Sequence, residues 1–170
     1  MADLHNTTRR NNYEKVSHRN TGPDRSLCLF VFSLCRVCTA DEVVSTVAKA
    51  AQLVETKGEA AFEELRSIRF LDGKGYVVIS DMDQVCRLNP MAPSFEGKDM
   101  TGLQSADGRY FVTEMTAKAK SQDTGWISYS WMDPTTKAVA QKCLYYQKVT
   151  MPDGKTVLVQ AGYYGTDCTQ

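Results

Sequence analysis

Two long β-rich runs, 139-VAQKCLYYQKVTM-151 and 156-TVLVQAGYY-164, are separated only by 152-PDGK-155. Pro, Asp and Gly in that order favour a tight reversal, so the runs are read as the arms of one antiparallel hairpin. An isolated hairpin is barely stable in water; it needs more strands and an apolar cover. The rest of the chain must supply both.

The cover lies upstream. Val43, Val44, Val47, Ala50, Ala51, Val54, Ala61, Phe62 and Leu65 recur at three- and four-residue steps, with Lys49, Glu55, Lys57 and Glu59 on the other side. That period predicts one amphipathic helix, or two joined near Gly58. The cluster 72-DGKG-75 ends it. Next, 76-YVVIS-80 and 85-VCRLN-89 flank 81-DMDQ-84 and read as a shorter hairpin. Pro90 and Pro93 forbid further regular pairing, leaving residues 90–108 as a long irregular loop, usually a sign of function or motion. A second helix is expected over 109–120, with Phe111, Met115 and Ala119 on its buried stripe, and another strand over 125-GWISYSW-131. The expected class is α+β: a five-stranded antiparallel sheet with the long N-terminal helix on one face.

The 170 residues suit one domain, and a net charge of zero gives no basis for broad electrostatic binding of nucleic acid. The charge is unevenly spread. Residues 1–40 hold six Lys/Arg against three acids, net +3, which leaves −3 for residues 41–170. The same boundary separates a polar opening segment and the short apolar run 26-SLCLFVFSL-34 from Asp41, with small residues at Cys38 and Ala40. Basic residues, a short apolar run and small residues are the marks of a secretory signal peptide. The run is too short to span a bilayer, which takes about 20 apolar residues. The expected division is a leader over 1–40 and one domain over 41–170, periplasmic or secreted. Cys86, Cys143 and Cys168 are odd in number and far apart; Cys86 and Cys143 read as small buried side chains, with a disulfide among the three left open.

The only histidines are His5 and His18, both ahead of Asp41. The expected domain thus has no imidazole for acid–base work, nucleophile activation or zinc. Neither a P-loop nor a Rossmann glycine pattern is present. Asp81 and Asp83 lack the third ligand, glycine and distant glutamate of a calcium loop, and read as a solvated turn. No catalytic residue, metal or cofactor is expected.

Aromatic and basic residues on the sheet remain. Both tryptophans fall in 125-GWISYSWMDP-134. Alternation puts Ile127, Tyr129 and Trp131 on one face and Trp126, Ser128 and Ser130 on the other; Lys142, Leu144 and Tyr146 likewise oppose Cys143, Tyr145 and Gln147. Tyr129 and Tyr145 each offer a ring and a hydroxyl, suited to an apolar wall that can donate a hydrogen bond. An ammonium inside an apolar strand either snorkels to an edge or has an anionic partner, and both readings of Lys142 stay open. For Trp126 and Trp131, core packing and ligand contact stay open too.

Several runs together carry a family resemblance: Gly125-Trp126-x-Ser128-Tyr129-x-Trp131-x-x-Pro134, Lys142-x-x-Tyr145 and Gly162-x-Tyr164, preceded by Tyr76-Val77-Val78, Asp81, Asn89-Pro90, Phe95-Glu96-Gly97-Lys98 and Asp107-Gly108-Arg109. In order and spacing the chain resembles the single Cache domain of the sCache_2 type over about residues 43–166. The resemblance implies a PAS-like, extracytoplasmic sensor without enzymatic activity. Its long helix would cover one sheet face, while the other face and the long loop enclose a short organic acid of the acetate, propionate, lactate or pyruvate class. The residues it implicates in binding are Tyr76, Asn89, Trp126, Tyr129, Trp131, Lys142 and Tyr145. Lys142 and Tyr145 cannot both line one face of a regular strand, so a bulge intervenes or one of them is structural. Many family members have His-Pro where this chain has Asn89-Pro90. Only DCTQ follows Thr166 and no apolar span precedes Asp41, so the expectation is a stand-alone, exported form with no output of its own. Its partner would be a membrane receptor or histidine kinase. The competing expectation is a ligand-free interaction module, its sheet face filled by side chains and docked on a membrane partner.

Overall fold

The structure, a computed structural model, describes residues 25–165, with side chains from residue 39 onward. Helix α1 (Arg25–Lys57) is followed by a 3₁₀ turn (Gly58–Ala60) and the short helix α2 (Ala61–Arg66). Residues 1–24 of the expected leader lie outside the described residues. The expected boundary at residue 40 falls inside α1, and Ala40 is already buried. Ala40, Val43, Val47, Ala50, Ala51 and Val54 form the buried stripe, the helical period read from the sequence. Gly58 breaks the helix with φ +60°, and a Cβ there would lie 3.3 Å from Pro152 Cδ. Glycine tolerates both the left-handed backbone and the close approach.

Five strands follow: β1 (Val77–Asp81), β2 (Cys86–Leu88), β3 (Thr124–Met132), β4 (Val139–Thr150) and β5 (Thr156–Tyr164). They form one sheet in the order β2-β1-β5-β4-β3, and every neighbouring pair is antiparallel. Both expected hairpins are present. In the first, Asp81 Oδ1 accepts the Asp83 and Val85 N–H groups, and Gln84 takes φ 66°. The aspartate is therefore a turn-former, as read. In the second, the Met151 N–H donates to the Lys155 carbonyl, and Gly154 takes φ 83°.

The sheet has two differently used faces. Val77, Ile79, Val149, Val157, Val159 and Ala161 pack against the α1–α2 stripe as one core, with Trp126, Tyr145 and Tyr163 at its border. The second core lies on the opposite face, under helix α3 (Phe111–Ala119), where Phe111, Val112, Met115 and Ala119 meet Ile127, Tyr129, Leu144, Tyr146 and Leu158. Loop 90–108 carries one 3₁₀ turn (Pro93–Phe95) and continues the sheet by isolated contacts: the Cys86 N–H donates to the Lys98 carbonyl, and Gly97 N–H to the Cys86 carbonyl. It also blunts the edge strand β3. Ala106 N–H and the Arg109 guanidinium donate to the Ser130 and Ser128 carbonyls, 2.9 and 2.6 Å, which covers groups that would otherwise recruit another strand.

Cys86 is free and buried, as expected; Cys143, also buried, is disulfide-bonded, which corrects its reading as a simple buried thiol. Cys168 lies outside the described residues.

Candidate ligand-binding site

Side-chain alternation fixes what faces α3. On β1 these are Tyr76, just ahead of the strand, Val78 and Ser80; on β5, Gln160 and Tyr164; on β4, Lys142 and Leu144; on β3, Tyr129 and Trp131. They floor a cavity of about 190 Å³. Phe111, Val112 and Met115 of α3 roof it, together with Phe95, Met100 and Leu103 from the loop. Met91 and Met132 also line it and are 47% and 57% exposed, which puts the mouth between them. The cavity gives no support to a face filled solid by side chains.

Lys142 stands in the floor at 6% exposure. Its Nζ donates to the Tyr76 hydroxyl at 3.0 Å and lies 4.9 and 5.3 Å from the Tyr76 and Tyr164 ring centres. Both distances are within cation–π range. Among the described residues no carboxylate pairs with it. The surrounding phenols do not supply the charge either. Burial, and secondarily the Tyr76 and Tyr164 phenols, hold Tyr129 well above its ordinary range; burial first, then Tyr76 and Asp133, raises Tyr164. Both stay neutral at physiological pH. Tyr164 O–H donates to the Met132 carbonyl at 3.0 Å. Tyr129 stacks on Phe111, ring centres 3.9 Å apart and planes 14° apart, with Trp131 edge-on to both.

Five of the seven residues read from the sequence meet here: Tyr76, Asn89, Tyr129, Trp131 and Lys142. Trp126 and Tyr145 do not. They pair across β3 and β4 on the other face, ring centres 5.1 Å apart, and border the helix-side core. The β4 ladder is regular through Lys142 and Tyr145, so strand alternation itself separates the two residues. Asn89 lines the cavity, but its Oδ1 accepts the Met91 and Ala92 N–H groups and so organises the loop. The sequence reading passed over Phe111 as a wall and over Ser80, Gln160 and Tyr164. Alternation along 156-TVLVQAGYY-164, carried back from Tyr164, would have found Gln160.

The sequence profile of the family described as Single Cache domain 2 matches residues 37–167. The chain belongs to that family. Its Cache domain is 28% identical over 93 residues to the methyl-accepting chemotaxis protein McpP of Pseudomonas putida (strain KT2440), which is 55% of this chain and 17% of that protein. The chain thus spans about a sixth of that relative's length. Among solved structures, one described as the structural basis for carboxylic acid recognition by a Cache chemosensory domain is 25% identical, with a TM-score of 0.65 over 79% of this chain and 97% of that one. A periplasmic sensor domain of a chemotaxis protein (23% identical, TM-score 0.66, 78% and 98% covered) shares the fold. So does a methyl-accepting chemotaxis protein from Vibrio parahaemolyticus (23%, 0.63, 85% and 99%). The Cache fold is a sensory, ligand-binding one rather than a catalytic one. Among the described residues no group of three or more His, Cys, Asp or Glu is placed to hold a metal, and no helix is long and apolar enough to cross a membrane.

Proposed function

We propose that the cavity binds a short organic acid of the acetate, propionate, lactate or pyruvate class, its carboxylate resting on the Lys142 ammonium. The carrying observation is that ammonium itself: 6% exposed, open to the cavity, and without a carboxylate partner among the described residues. Burying an unpaired charge is expensive, and a ligand carboxylate offsets the cost through charge-assisted hydrogen bonds. The neutral Tyr129 hydroxyl gives the same carboxylate a second donor, while Phe111, Trp131 and Leu144 wall in the alkyl part. Size agrees. An apolar cavity of about 150 Å³ holds benzene, so 190 Å³ takes an acid of similar bulk and not a drug-sized molecule. The carboxylic acid recognition described for the structural relative supports the class.

On this reading the Cache domain, residues 41–170, works outside the cytoplasm, preceded by a leader over 1–40. It passes its bound state to a membrane receptor or histidine kinase. The periplasmic sensor relative supports the compartment and the chemotaxis relatives support a signalling role.

The test is a thermal-shift screen of short monocarboxylates, followed by calorimetric titration of wild type and Lys142→Ala. An acid held at 100 times its Kd adds about 2.7 kcal/mol of stability. Lys142→Ala should weaken its binding roughly tenfold to a hundredfold, the value of a hydrogen bond to a charged group. Undiminished binding in Lys142→Ala, or no shift with any acid, overturns the proposal.

A further inference from the structure

Ser80 and Gln160 are each 5% exposed and both line the cavity. Buried polar groups nearly always find partners, and this pair has capacity left. Gln160 Nε2 donates to Ser80 Oγ at 2.6 Å and to the Leu158 carbonyl at 3.4 Å. A carbonyl only accepts, so Nε2 must be the atom on that side, and the trigonal amide turns Oε1 the other way. Among the described residues no donor reaches Oε1, and the Ser80 O–H, whose oxygen already accepts from Gln160, has no acceptor. An acceptor and a hydroxyl donor thus stand side by side in a wall that is otherwise mostly apolar.

Their complement is a group that both donates and accepts, which is an alcohol. A methyl group would leave both unpaired, and a keto oxygen would serve Ser80 while facing Gln160 Oε1 with a second acceptor. The Lys142–Tyr76 pair and the Ser80–Gln160 pair line the same cavity of about 190 Å³, so both face one small binding volume.

We infer that Ser80 and Gln160 form a hydroxyl-reading station, so that the domain prefers a 2- or 3-hydroxy acid to the matching unsubstituted acid and keto acid. The inference rests on the reading of Lys142 as the carboxylate anchor. It is tested by titrating propionate, lactate, 3-hydroxypropionate and pyruvate into wild type, Gln160→Leu and Ser80→Ala. Wild type should hold at least one hydroxy acid about tenfold more tightly than propionate, the value of one well-made hydrogen bond, and pyruvate should not share the gain. Gln160→Leu should bring that ratio to within about twofold, with a cooperative melting transition showing that the variant is folded. Ser80→Ala should lower the ratio too, and decides the matter by itself if Gln160→Leu does not fold. A wild type that binds propionate as tightly as every hydroxy acid, or a ratio unchanged in the variants, overturns the station and leaves the carboxylate anchor standing. If no acid binds at all, both fall.

Discussion

An alanine at position 162 would put its Cβ 2.3 Å from the Cys143 carbonyl oxygen. No side chain can be accommodated there unless β4 and β5 move apart. Gly162 also pairs with Leu144 and sits on the cavity face between Gln160 and Tyr164. Tyr76 precedes Val77, the partner of Ala161, so the lysine stem crosses this bare stretch of β5 to reach the tyrosine hydroxyl. Overpacking at such a contact costs about 1–3 kcal/mol, and for a domain of this size 1 kcal/mol moves Tm by about 2–4 °C. Gly162→Ala should therefore lower Tm by roughly 5 °C and weaken acid binding, read by calorimetric melting and titration. An unchanged melting curve would show that the strands yield freely. The motif Gly162-x-Tyr164 was visible in the sequence, but its reason was not, because the clash is with a carbonyl 19 residues away.

At the scale of elements, the roof loop is held by contacts that local patterning cannot disclose. Pro90 and Pro93 announced irregular backbone, yet the loop's anchor is Glu96, paired in bidentate fashion with Arg66 of α2 at 2.8 and 2.9 Å. Glu96 Oε1 also accepts the Asn89 N–H at 2.8 Å. Partners 30 residues apart leave no periodic trace, whereas the helices and hairpins, whose defining contacts are near in sequence, were legible. Asn89, read as a ligand contact, belongs at least as much to this anchor. The Arg66 guanidinium, and after it the Asn89 N–H, hold the Glu96 carboxyl below its usual value of 4.5. A carboxylate depressed on folding contributes stability above its unfolded pKa and loses it as pH falls through the lower folded value. Glu96→Gln should therefore melt a few degrees below wild type at pH 7, about 1 kcal/mol for a half-exposed pair. That gap should narrow as pH falls below 4.5 and through the lower folded value, where wild type loses its own contribution. Melting curves at pH 7 and pH 3 check it; an equal gap at both would assign the Glu96 contribution to packing instead of charge.

For the whole molecule the sheet is a partition. One face is closed by α1 and α2 and makes the fold stable; the other is left partly open beneath α3 and the loop and makes the cavity. Period-2 alternation was enough to separate Trp126 from Trp131, but not to say which side the long helix would take, since both faces of β3 and β4 are rich in rings. The family resemblance, carried over both faces of the strands, put Trp126 and Tyr145 among the expected binding residues. The chain's two tryptophans now report on the two faces separately, Trp131 from the cavity wall and Trp126 from the helix-side core. In Trp126→Phe, which leaves Trp131 as the single indole, acid binding should change the fluorescence. In Trp131→Phe, which leaves Trp126 alone, the same titration should be nearly silent, and affinity should fall because an edge-on ring has gone from the cavity wall. Stability should divide the other way. Trp126→Leu removes a ring packed against Tyr145 and Tyr163, so it should cost about 2 kcal/mol while leaving the Kd almost unchanged. Should Trp126→Leu abolish binding at unchanged stability, ligand and helix would share one face, and the partition would be wrong.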